Sequence, residues 1–167
     1  MVTHDHGTAL DVSGVAIERA ARHAEQAGVP VRWVHAALLE ASDLGTFDLV
    51  SAQYPALRST ADHAAERALM AAVAPAGRLL FVHHVMDAAS AAEHGFRLEE
   101  WVRPEDMAAQ LGEGWTVEVD DVRPREVSTG AGAHHREDVV LMARRPAQAP
   151  PSAHSSRDVA DRMRTGG

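Results

Sequence analysis

The stretch GTALDVSGVAIERAARHAEQAGVPVRWVH (7–35) decides the fold class. Gly7–Asp11 (GTALD) is a short apolar run that ends in an acid, as a strand does. Gly14–Ala27 then places Ile17, Ala20, Ala21 and Ala24 at helical spacing, with Glu18, Arg19, Arg22, Glu25 and Gln26 on the opposite face. Ser13 is the candidate N-cap and Gly28 the residue that ends the helix. Glu18 and Arg22 form an i,i+4 pair in the favourable orientation. Val31–His35 (VRWVH) is the next strand. Strand, helix, strand within 29 residues is the unit from which parallel sheets are built.

The same alternation continues outward. Thr46–Ser51 (TFDLVS) is a strand entered through Gly45. The spacing predicts a helix over Thr60–Ala74, with apolar residues at 61, 64, 65, 68, 69, 72 and 73, stopped by Pro75-Ala76-Gly77. Arg78–Val85 (RLLFVHHV) is an apolar run of strand length, of the kind buried on both faces of a parallel sheet. Asp87–His94 reads as a short alanine-rich helix. Pro104–Leu111 carries Pro at its first position, acids in its first turn and Gly112 after its end. Trp115–Val122 alternates apolar and acidic residues like a half-exposed strand. Ser128–Ala133 is a glycine-bearing loop, and Asp138–Ala143 a last strand, antiparallel to its neighbour. Residues 1–6 and the Pro/Ser/Ala/Gly-rich 146–167 are expected to be disordered, leaving 7–145 as the folded part. No internal repeat is visible.

Composition narrows the chemistry. The chain has 167 residues, 32 of them Ala, with no Cys and no Lys. No cysteine means no disulfide, no thiolate metal site and no thiol nucleophile. No lysine means no Schiff base and no phosphate-binding P-loop lysine. The net charge of -8 argues against a nucleic-acid partner, which would need positive charge to displace counterions. No apolar run has bilayer-spanning length and no signal peptide is visible, so a cytoplasmic location without membrane attachment is expected.

The ordered set TALDVSGVAIERAARHAEQAG (8–28), VRWVHAALLE (31–40), GTFDLVSAQ (45–53), APAGRLLFVHH (74–84) and GWTVEV with HHREDVVLMARR (114–119, 134–145) resembles the class I S-adenosylmethionine-dependent methyltransferases, entered at their second strand. The resemblance implies a Rossmann-like α/β sheet, mostly parallel with a terminal antiparallel strand. It also implies S-adenosylmethionine as cofactor and methyl transfer to an O or N atom of a small-molecule acceptor. Ligands of such sheets lie beyond the carboxyl ends of the strands. There the resemblance gives Asp11 the ribose hydroxyls and Val12 the adenine face. The alternative for Asp11 is a turn-forming acid ahead of Ser13. Where the family often has an acid that binds the adenine amino group, this chain has Ala37. It can line an apolar pocket but cannot accept a hydrogen bond, so backbone groups at Ala37 or Leu38 would contact the base. Ser51, Ala52 and Gln53 follow the strand that normally touches the methionine part.

One family feature is missing. The first strand and its acid-x-Gly-x-Gly turn would lie before Gly7, and MVTHDH contains no glycine. The sequence therefore reads as an N-terminally truncated, partial methyltransferase domain. Loss of that central strand would leave two partial sheets or force its neighbours to pair directly. A partner chain or a homo-oligomer could supply the strand.

His83 and His84 end the RLLFVHHV run on opposite faces, so at most one faces the site. Either would serve as a general base, and Tyr54 is a third candidate; the alternative is a structural histidine. His4, Asp5, His6, His134 and His135 crowd flexible segments without metal-site spacing, so no metal is expected. Two other readings stand beside the enzyme. One is a non-catalytic methyltransferase-like remnant or interaction protein, favoured by the missing glycine turn and by Ala37. The other is a nucleotide-dependent oxidoreductase, which shares only the acid after the second strand.

Overall fold

The computed structural model describes residues 7–86, 91–92, 95–127 and 135–148. The expected disordered start, most of the short helix at 87–94, the loop at 128–133, His134 and the tail from 149 lie outside them.

The opening unit forms where the sequence places it. β1 (Gly7–Asp11) and β2 (Val31–His35) pair in parallel, with Asp11 opposite His35. Between them runs α1 (Gly14–Ala27). Ser13 Oγ accepts the N–H of Ala16 at 3.2 Å, which fills one of the helix's orphan donors. Gly28 takes φ 67°, the left-handed turn that a glycine adopts at no steric cost, and closes the last turn onto Ala24 and Glu25.

The second sheet holds β3 (Phe47–Gln53), β4 (Val73–His84), β5 (Thr116–Pro124) and β6 (Glu137–Arg144). Its order is β3-β4-β6-β5. β3 and β4 are parallel, and β6 runs antiparallel to both β4 and β5. The sheet is α/β and closes on an antiparallel strand, as expected. α2 (Ala64–Ala71), a 3-10 turn at Leu98–Glu100 and α3 (Pro104–Gln110) complete the unit. Its core is Phe81, Leu79, Leu141, Val73, Val102 and Met107, each with no more than 1% of its surface exposed, joined by Ala65 and Leu69.

Two elements, the second helix and the strand after it, differ most from the sequence reading, for local reasons. The helix expected over Thr60–Ala74 is half that length. His63 sits at φ 51°, so 60–63 form a turn in which Thr60 Oγ1 accepts Ala64 N–H and donates to Asp62. At the other end Ala72 gives its carbonyl to Phe47 N–H, and the chain enters β4 at Val73. Pro75-Ala76-Gly77 therefore lies inside β4 rather than between elements. The register jumps there, from Phe47 opposite Val73 to Leu49 opposite Arg78. A Cβ at Gly77 would meet the carbonyl oxygens of Ala74 at 2.9 Å, Asp48 at 3.0 Å and Phe47 at 3.0 Å, so only glycine fits this irregularity.

Among the described residues β1 pairs only with β2, and β3 only with β4. Of the two outcomes expected for a sheet without its central strand, the chain shows two separate sheets. No residue of β1, α1 or β2 is fully buried, and Val12, Val15 and Leu49 are more than half exposed. Leu38 is the one residue just past β2 that packs on the main core.

Candidate functional site

The carboxyl ends of β3 and β4 lie at one edge of the four-stranded sheet, because those strands are parallel. β6 runs the other way, so its first residues reach the same edge, and β5 brings its last residues there. Five polar residues converge at this edge.

His84 ends β4 directly opposite Asp138 of β6. Directly opposed residues of antiparallel strands project from one face. His84 Nδ1 lies 2.9 Å from Asp138 Oδ1. The same nitrogen lies 3.3 Å from a terminal guanidinium nitrogen of Arg125, so it sits between a carboxylate and a cation. Tyr54 follows β3 at φ 51°, and its backbone N–H donates to Val82 O at 2.8 Å. That turn carries its ring across β4. The phenol donates to Asp138 Oδ2 at 2.7 Å, and the ring stacks on His84 at 4.2 Å. His135 stacks on His84 at 4.0 Å. Arg125, just past β5, places Nε 3.3 Å from Asp138 Oδ2 and its guanidinium carbon 5.2 Å from the Tyr54 ring centre.

The carboxylate of Asp138 thus holds three groups at once, in a setting where its side chain is only 11% exposed. Arg125 pairs with it and the imidazole is oriented by it. Burial and the hydrogen bond to Asp138 push the Tyr54 phenol above its ordinary value. It therefore remains a proton donor at neutral pH.

His83 faces the other way, as strand alternation requires. It lines a cleft with Met86, Leu98 and Arg103. Burial holds its pKa below 6.5, against a weak contact with the His84 carbonyl. His84 reaches the same cleft at its β4 end. Of the three candidates from sequence, His84 and Tyr54 come together, and His83 lines the cavity beside them. Asp138 and Arg125 were missed. Their partners are distant in sequence, and only the antiparallel β4–β6 register brings Asp138 to His84.

The nucleoside candidates, Ser51 apart, sit on or just past the strands of the other sheet. Asp11 ends β1 and is exposed; its Oδ1 accepts Ser13 N–H at 2.7 Å, so the turn-forming role exists and occupies one oxygen. Val12 is 67% exposed, and its carbonyl lies 3.0 Å from His35 Nε2. Ala37 opens the turn after β2, giving its carbonyl to Glu40 and Ala41, and Leu38 leans on the core. Ser51, in β3, accepts from Gln53 Nε2 at 3.3 Å. No Gly-x-Gly turn follows a strand among the described residues. No group of metal-ligating side chains occurs among them either.

No family model matches the chain, and no curated protein matches it in sequence. Solved structures do match its shape. N-methyltransferase NodS from Bradyrhizobium japonicum WM9, in complex with S-adenosyl-L-homocysteine, superposes at TM-score 0.62 and 20% identity over 83% of this chain and 66% of NodS. A SAM-dependent methyltransferase from Methanosarcina mazei superposes at 0.60 and 13% identity, over 86% of this chain and 83% of that one. The [4+2]-cyclase SpnF superposes at 0.57 and 17% identity, over 84% and 66%. This chain spans just under two thirds of NodS and of SpnF. It has the class I methyltransferase fold.

Proposed function

We propose that the chain takes part in S-adenosylmethionine-dependent methyl transfer to an oxygen or nitrogen of a small molecule. The observation that carries this reading is the Asp138-oriented His84 at the ligand edge of a methyltransferase sheet. S-adenosylmethionine, when bound, supplies a sulfonium methyl that needs only an in-line lone pair. Asp11 and Val12 would hold the ribose and adenine, Ala37 and Leu38 would line the base pocket, and Ser51 would face the methionine part. His84 Nε2 takes the proton that the acceptor loses. Asp138 fixes the imidazole tautomer, and Tyr54 and His135 hold the ring between them.

The single-sided pairing of β1 and β3 favours a companion strand from a partner chain or a second copy, inserted between the two edges. The location is cytoplasmic in this reading, and neither nucleic acid nor membrane is a partner. A second reading, a methyltransferase-like interaction protein, is favoured by Ala37 and by the two separate sheets. Calorimetric titration of the folded chain with S-adenosylmethionine decides between them. Micromolar binding that weakens in Asp11→Ala supports the enzyme. No heat from a chain folded by circular dichroism overturns it.

A further inference from the structure

The turn that presents Asp11 is held from outside its own segment. His35 ends β2 directly opposite Asp11 of β1. Its Nε2 lies 3.0 Å from the carbonyl oxygen of Val12, the residue that follows Asp11. A carbonyl only accepts, so Nε2 is the donor. The ring also lies against the first residue of α1. A Cβ at Gly14 would stand 3.3 Å from His35 Cε1, tighter than ordinary contact, so glycine there leaves the imidazole its place.

Apolar packing contributes little at this turn. No residue of β1, α1 or β2 is fully buried, and Val12 and Val15 are 67% and 77% exposed. The turn therefore depends on hydrogen bonds. Ser13 N–H donates to Asp11 Oδ1 at 2.7 Å, and Ala36 N–H donates to the Asp11 carbonyl at 3.2 Å. The bond from His35 adds a side chain of the neighbouring strand and fixes the next carbonyl along. A ribose diol meets a carboxylate with two hydroxyls at once, so a carboxylate already held in one orientation loses less freedom on binding.

We infer that His35 is a positioning residue for the nucleoside: its Nε2–H pins the Val12 carbonyl and so sets the Asp11 carboxylate before the ligand arrives. His35 acts through Val12 and Asp11 rather than on the ligand. This role rests on the reading that gives Asp11 the ribose hydroxyls.

Adenosine and S-adenosylmethionine are titrated calorimetrically into the full chain and into three variants. His35→Ala removes ring and donor, and His35→Phe keeps a ring without the donor. His35→Gln restores an amide N–H near the place of Nε2. Adenosine should bind about three- to tenfold more weakly to the Ala and Phe variants, as one lost hydrogen bond implies, and should recover in His35→Gln. In the ligand-free chain the Ser13 amide should exchange faster in the Ala and Phe variants, with circular dichroism unchanged. Unaltered adenosine affinity in His35→Phe, no recovery in His35→Gln, or unaltered Ser13 exchange overturns the inference. If adenosine binds with this pattern and S-adenosylmethionine does not bind, only the methyl-transfer reading falls. If neither ligand binds the unaltered chain, both fall.

Discussion

Tyr54 and Asp138, 84 positions apart, meet in a 2.7 Å hydrogen bond that spans the end of β4. The contact joins the turn after β3 to the start of β6 and closes one side of the His84 ring. It can be read directly, because Tyr54 is the only tyrosine in the chain.

Ultraviolet titration of the phenolate therefore reports on this one contact. The neutral phenol is favoured by burial and by donation to the Asp138 carboxylate, with Arg125 opposing. Ionisation should begin above the ordinary value of 10. Asp138→Asn removes both the charged acceptor and its repulsion of the phenolate, so the midpoint should fall. An unchanged midpoint would mean that the two side chains do not meet.

In the proposed methyl transfer Asp138 would act through His84, as a positioning residue. Asp138→Asn should lower kcat for methyl transfer to an accepted small molecule by about 10²–10⁴-fold, the usual contribution of general-base catalysis, with KM little changed. Tyr54→Phe keeps the ring stack and loses only the phenol, so its kcat should fall by less than about tenfold. Parallel rises in KM would instead assign Asp138 to substrate binding.

His83 makes stability depend on pH. Its folded pKa lies below the ordinary 6.5, so the unfolded chain binds a proton that the folded chain refuses. Stability is fully present above about pH 6.5 and is lost as pH falls toward the folded value. The melting temperature should drop between pH 7 and 5, and His83→Gln should flatten that drop. An equal slope in the variant would assign the loss to other groups.

Gly77→Ala should cost about 1–3 kcal/mol, because the new methyl meets three backbone carbonyls rather than movable side chains. Chemical denaturation with an unchanged m-value would show it as a fall in midpoint.

Amide exchange should divide the molecule along its sheets. β4 and β6 hold Leu79, Phe81 and Leu141 in the core, whereas β1, α1 and β2 bury no residue fully. Protection should be high in the former and low in the latter. Uniform protection would mean that the first unit has cover the described residues do not supply.

Local signals in the sequence placed β1, α1 and β2 correctly at both ends, because each boundary is set by a neighbour: Ser13 at the start of α1, Gly28 at its end. The misplaced helix shows where local signals stop. Its periodicity runs through 60–74, but His63 in a left-handed turn and the capture of Ala72 by Phe47 shorten it, and both depend on packing. The site was legible in part for the same reason. His84 and Tyr54 lie next to strand ends that the pattern marks. Asp138 and Arg125 matter only through cross-strand register, and a register is a property of the pair of strands rather than of either one.

The open edges of β1 and β3 carry a colloidal consequence. Unpaired edges are templates for association between copies, and proteins usually guard them with lysine, proline or a bulge. β1 and β3 contain neither lysine nor proline, and of the two only β3 has a register irregularity, at Phe47–Leu49. Among the described residues the broadest guard against such pairing is the acidic net charge of -8, a long-range repulsion. Salt shortens that repulsion to about 3 Å at 1 M. Raising ionic strength should therefore lower the concentration at which dispersed chains begin to assemble edge to edge.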